Sequence, residues 1–119
     1  MYSEQITEHL AHPRNVGEVE NPSGVGDVTN EVCLDRIRLS IRIDHHVVTE
    51  AKIKAQGCPP TIAAASVLTE LIIGRSVEDL GNLGKKEIVA ALGRLPAAKM
   101  HCAALAVDAL RAALADSRS

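Results

Sequence analysis

This 119-residue chain has no tryptophan and no phenylalanine, and Tyr2 is its only large aromatic residue. Its core must therefore be filled by Ala, Leu, Ile and Val. No apolar run reaches the roughly 20 residues needed to span a bilayer, so no membrane association is expected. Charge of one sign is also lacking. A net charge of −2 does not provide the clustered basic surface that nucleic acid requires. The start "MYSEQITEHL" has neither the basic and apolar regions of a signal peptide nor the arginines of a transit peptide, so a cytoplasmic location is expected. There are three cysteines, an odd number that argues against a closed disulfide framework and for free thiols or metal ligands in a reducing compartment. The length suits one domain, residues 1–119.

The regular patterns come in two blocks. "SEQITEHL" reads as a short helix capped by Ser3, with Ile6 and Leu10 on one face. "HPRNVGEVENPSGVGD" is a turn-rich loop. In "RIRLSIRID" Ile37, Leu39, Ile41 and Ile43 alternate with Arg36, Arg38, Ser40 and Arg42, as in a half-buried strand. "VVTEAKIKA" alternates as well, with Val47, Thr49, Ala51 and Ile53 facing away from Val48, Glu50, Lys52 and Lys54. A hairpin at "DHH" joins the two strands, and "GVGDVTNEV" offers a third. After "QGC" the period becomes helical. "PPTIAAASVLTELIIGR" opens on Pro59 and Pro60 and closes at Gly74. "SVEDLGNLGKKEIVAALGRLP" holds one or two short helices, the first capped by Ser76. "AAKMHCAALAVDALRAALAD" is a long final helix. Strands first and helices later imply an α+β fold: a small antiparallel three-stranded sheet with helices packed on one face.

Cys33 precedes one strand of the hairpin and Cys58 follows the other, so the antiparallel pairing brings them to the same sheet edge. Asp35 shares the face of Cys33 if the strand has begun there. Cys58 and Cys102 both sit at helix starts, where the partial positive charge favours thiolate over thiol. If the last helix begins at this edge, the three cysteines converge, with Asp35 and His101 as further ligands. Such a set suits zinc or an iron–sulfur cluster. On spacing alone, three scattered cysteines also fit plain core packing. Adjacent helical residues diverge by about 100°, so a nucleophile–base pair of His101 and Cys102 is not expected. His45 and His46 read as exposed turn residues. His9 and His12 lie near a helix end where a cation is favoured, in a structural role. Arg36, Arg38 and Arg42 read as a solvated or helix-facing side of the strand.

Four ordered motifs run along nearly the whole chain: "HPRNVG", "CLDRIRLSIRI", "QGCPPTIAAAS" and "KMHC". Together they resemble the iron–sulfur cluster assembly scaffold proteins, IscU and the amino-terminal domain of NifU, whose segments read N-P-R-N-V-G, C-G-D, Y-G-C-G-S-A-I-A-S-S and K-I-H-C. The resemblance implies that Cys33, Asp35, Cys58, His101 and Cys102 hold a transient 2Fe–2S cluster. It implies that Cys102 accepts persulfide sulfur from a cysteine desulfurase, and that the cluster passes to apo iron–sulfur proteins, in a scaffold rather than an enzyme. Zinc on the same ligands in the cluster-free state, and frataxin-like and ferredoxin partners, are implied as well. Tyr2 matches a family tyrosine tied to persulfide handling and dimer contact. The alternative is a zinc-bound sulfur acceptor that stimulates a desulfurase. That branch carries an insertion before the last cysteine and lacks the histidine, and this chain has neither mark.

Three departures stand out. Leu34 replaces the glycine after the first cysteine, Pro59 and Pro60 replace Gly-Ser after the second, and Leu95 to Lys99 reads LPAAK instead of L-P-P-V-K. The prolines remove amide donors near Cys58. The last change argues against release through a dedicated Hsp70-type chaperone.

Overall fold

The computed structural model describes residues 2–32 and 34–118. Cys33, an expected ligand, lies outside them. The chain runs α1 (Glu4–Ala11), β1 (Gly24–Asn30), β2 (Asp35–Asp44), β3 (Val47–Gln56), α2 (Pro59–Ile72), α3 (Val77–Leu80), α4 (Lys85–Ala91) and α5 (Met100–Ser117). A 3-10 turn at Ala97–Lys99 leads into α5, so the LPAAK segment ends in this turn and the final helix starts later than the alanine-rich pattern implied.

The sheet is antiparallel in the order β1-β2-β3, with α2 and α5 packed against it. Ile37, Leu39 and Ile41 of β2 are fully buried beneath the helices, as their alternation requires. β3 departs from its expected phase. Its register shifts between Arg42 and Ile43, where Arg42 pairs with Glu50 but Ile43 pairs with Val48. This bulge turns the strand by one residue. Val48 therefore joins Ala51 and Ile53 in the core, while Thr49 is exposed. Strict alternation had put Thr49 on that inner face and Val48 on the other.

The outer edge at β3 is covered. Ile53 of β3 exchanges backbone hydrogen bonds with Asn15 and Gly17, and Val48 does so with Gly74 and Arg75, which protects the edge from further pairing. On its inner face, β1 lies directly against α5. A Cβ at Gly24 or Gly26 would fall 2.2 Å from the carbonyl oxygen of Ala113 or Ala109, so this close seating requires glycine. His45 and His46 form the two-residue hairpin turn with φ of 52° and 65°, the left-handed pair that suits the twist of the strands. Both are exposed.

Ser3 caps α1 and Ser76 caps α3, as their sequence contexts foretold. Arg36 and Arg38 pair with Asp27, and Arg38 also with Glu18, so these arginines are ion-paired, whereas Ser40 on the same side is buried and accepts from the Val19 amide. His9 is structural, but not as a cation. It is buried, its Nδ1 lies 2.7 Å from Ser66 Oγ, and its Nε2 lies 3.4 Å from Glu70. Burial, reinforced by Arg14 and opposed by Glu70 and Glu8, lowers its pKa and favours the neutral ring. His12 is exposed at the C-cap of α1.

Candidate metal centre

Three elements meet at one end of the sheet. Asp35 opens β2, Cys58 is the N-cap of α2 two residues beyond β3, and His101 and Cys102 lie in the first turn of α5. Their ligand atoms all lie within 4.8 Å of one another. Cys58 Sγ and Cys102 Sγ are 3.7 Å apart. His101 Nε2 stands 3.3 Å from Asp35 Oδ2 and 3.6 Å from Cys102 Sγ. Cys58 Sγ lies 4.0 Å from Asp35 Oδ2.

These spacings suit a metal ion. A tetrahedral ion with bonds of about 2.0–2.3 Å holds its ligand atoms about 3.3–3.8 Å apart. Two sulfurs, an imidazole nitrogen and a carboxylate oxygen form a mixed soft and hard donor set. Asp35 is 2% exposed, and a buried carboxylate needs such partners. The backbone amide of Cys58 donates to Asp35 Oδ1 at 3.2 Å, which ties β2 to the start of α2.

The two thiols differ. Burial pushes the Cys58 thiol up, but hydrogen bonds from the side chain and backbone of Thr61 and from Cys102 outweigh it, and its pKa is lowered. Cys102 is fully buried. Burial, aided by the neighbouring Cys58 and Asp35 and opposed by Thr61, raises its pKa to about 11. The expectation that both helix starts favour thiolate thus holds in direction for Cys58 and fails for Cys102, because desolvation outweighs the helix terminus. His101 Nε2 nevertheless approaches Cys102 Sγ, at 3.6 Å, despite the divergence of neighbouring helical positions.

Two residues of the site escaped the sequence reading. Thr61, fully buried, places its hydroxyl 3.3 Å from Cys58 Sγ and donates to Cys102 Sγ at 3.2 Å. Its signal was its place three residues after a helix N-cap, where a side chain faces the cap. Gly57 has φ of +140° and packs against Asp35. Leu34 takes φ of 59°, so it holds a left-handed backbone that glycine would take freely, at about 1–2 kcal/mol. Leu34 and Val32 are both exposed. Tyr2 is partly buried beside α1, in a groove with Thr7, Glu8 and Ala11.

The family model described as the NifU-like N-terminal domain matches residues 1–119. The chain is 40% identical over 116 residues to the iron–sulfur cluster assembly scaffold protein IscU 1 of Archaeoglobus fulgidus, covering 98% of this chain and 76% of the relative. It is 38% identical over 122 residues to the scaffold protein IscU of Haemophilus influenzae, covering 99% and 96%. A crystal structure of a nitrogen-fixing NifU-like protein (N-terminal) from Brucella abortus superposes with a TM-score of 0.81 at 17% identity, covering 98% of this chain and 93% of that one. That likeness concerns the fold, and it matches the α+β architecture described above.

Proposed function

The chain belongs to the NifU-like N-terminal domain family, and on that premise we propose that it is a scaffold on which an iron–sulfur cluster is assembled and then handed to apo-proteins. The observation that carries this reading is the convergence of Asp35, Cys58, His101 and Cys102 within 4.8 Å. A cargo must be held and also released. Thiolates bind iron tightly, whereas a carboxylate is a harder and weaker partner for a cluster, so a mixed set favours transient holding. Residues 1–119 act as one scaffold unit without a catalytic cycle of their own.

The finer assignments are part of the same proposal. The cargo is a 2Fe–2S cluster, with Cys33 as a further ligand. In the cluster-free state the four donors hold one zinc ion, a reading supported by their sulfur, nitrogen and oxygen chemistry and their convergence within 4.8 Å. Cys102 accepts sulfur. Its thiolate attacks the terminal sulfur of a desulfurase persulfide, a new S–S bond forms on Cys102, and the desulfurase cysteine leaves as thiolate. The raised pKa of Cys102 means that a proton must leave first. Coordination of the sulfur to a metal ion would favour this loss, the proton passing to solvent. Each sulfur delivered this way needs two electrons to become sulfide, and a ferredoxin partner supplies them. A frataxin-like partner is included in the proposal, a dedicated Hsp70-type chaperone is not, and the location is cytoplasmic. No helix among the described residues is long and apolar enough to cross a membrane.

Anaerobic reconstitution with iron, cysteine and a cysteine desulfurase tests the reading. The scaffold turns brown with a thiolate-to-iron absorption band and passes the band on to an apo-ferredoxin. A colourless protein that keeps one zinc and only stimulates the desulfurase overturns it.

A further inference from the structure

Pro59 and Pro60 occupy the first two positions of α2, directly after Cys58. Neither has a backbone N–H, so two of the amide donors usual at a helix start are lost to the Cys58 sulfur. The first amide available, that of Thr61, is shared: it acts on the Cys58 sulfur and donates to the carbonyl oxygen of Cys58 at 3.0 Å. The Thr61 hydroxyl meanwhile lies between the two sulfurs, at 3.3 Å from Cys58 and 3.2 Å from Cys102. A threonine in a helix commonly turns its hydroxyl to a carbonyl one turn back. This one is fully buried and turned to sulfur.

We propose that Thr61 is a positioning residue of the metal centre, whose hydroxyl replaces the amides lost to Pro59 and Pro60 by setting the spacing of the Cys58 and Cys102 sulfurs and donating to a ligand thiolate. The proposal rests on the reading that these cysteines bind metal. The hydroxyl carries one proton. Once both thiols are deprotonated it can donate to only one of them, so the two sulfurs become unequal ligands. A hydrogen bond to a ligating sulfur withdraws electron density from it and tunes the bound metal.

Cobalt(II) bound to the purified full chain reads this directly through its sulfur-to-cobalt charge-transfer band. Thr61→Val keeps the side-chain shape and removes the hydroxyl. Its band moves to lower energy, and cobalt affinity falls by about tenfold, the lower end of outer-shell effects. Thr61→Ser restores both. Thr61→Ala carries the same expectation as Thr61→Val and serves if the valine variant does not fold. A wild-type protein without a sulfur-to-cobalt band overturns the metal-site reading and the role of Thr61 with it. A normal wild-type band left unmoved in Thr61→Val and Thr61→Ala overturns the role of Thr61 alone.

Discussion

The carboxylate of Asp35 occupies the space that a side chain on Gly57 would fill: a Cβ there would fall 2.1 Å from Asp35 Oδ1. This contact lets the start of β2 and the turn into α2 close on each other. From it follows the hydrogen bond from the Cys58 amide to Asp35, and with it the position of the Cys58 sulfur. Gly57→Ala adds a clash with Asp35 and backbone strain at φ of +140°, together costing about 1–3 kcal/mol. The urea midpoint should fall at an unchanged slope, and metal retention should fall with it. An alanine variant with both properties intact would show that the contact is dispensable.

Asp35→Ala removes the carboxylate of the proposed site and leaves the Cys58 amide without its acceptor. An orphaned donor costs about 1–3 kcal/mol, which the fold should survive. Cluster handover to an apo-ferredoxin should slow, because the remaining ligands bind more tightly. Transfer at the wild-type rate would remove Asp35 from the release step.

In metal-free protein at pH 8, iodoacetamide should modify Cys58 well before Cys102. Cys58 is partly exposed with a lowered pKa, whereas Cys102 is fully buried with a pKa of about 11. Thiolate is the reacting form, so both accessibility and protonation point the same way. Peptide mass spectrometry over a time course gives the order, and equal rates would contradict the burial of Cys102.

His9 should make stability depend on pH. Burial, with Arg14 beside it, lowers its folded pKa, whereas in the unfolded chain it binds a proton near its ordinary value of about 6.5. Below that value the unfolded state takes up more protons, so folding stability drops as the pH falls from about 6.5 towards the lower folded value. The melting temperature should fall between pH 7.5 and pH 5.5 more steeply in the wild type than in His9→Gln. Parallel curves for the two proteins would rule His9 out as the source.

Gly26→Ala tests the seating of β1 on α5. Its Cβ would fall 2.2 Å from the carbonyl oxygen of Ala109, and backbone cannot swing away as a side chain can. Overpacking of this kind costs about 1–3 kcal/mol, which equilibrium urea unfolding resolves.

The sequence by itself determined the local structure and singled out the candidate ligands. Alternation from Arg36 to Ile43 specifies a strand and its buried face, because side chains point to opposite sides at each step. Pro59 and Pro60 specify where α2 begins, and the hairpin requires the residues around Cys58 to return towards Asp35. These are local rules, readable from neighbours along the chain. The tertiary structure decided what depends on residues far apart in sequence. The bulge between Arg42 and Ile43 put Val48 into the core, a choice that the inner-facing side chains of the packed sheet make and that the period alone does not. The packing of α5 buried Cys102, and that desolvation raises its thiol against the pull of the helix start. The same packing turned His101 towards Asp35 and placed the Thr61 hydroxyl between sulfurs 44 residues apart. Distance in space sets hydrogen bonds and desolvation, and only the folded chain defines it.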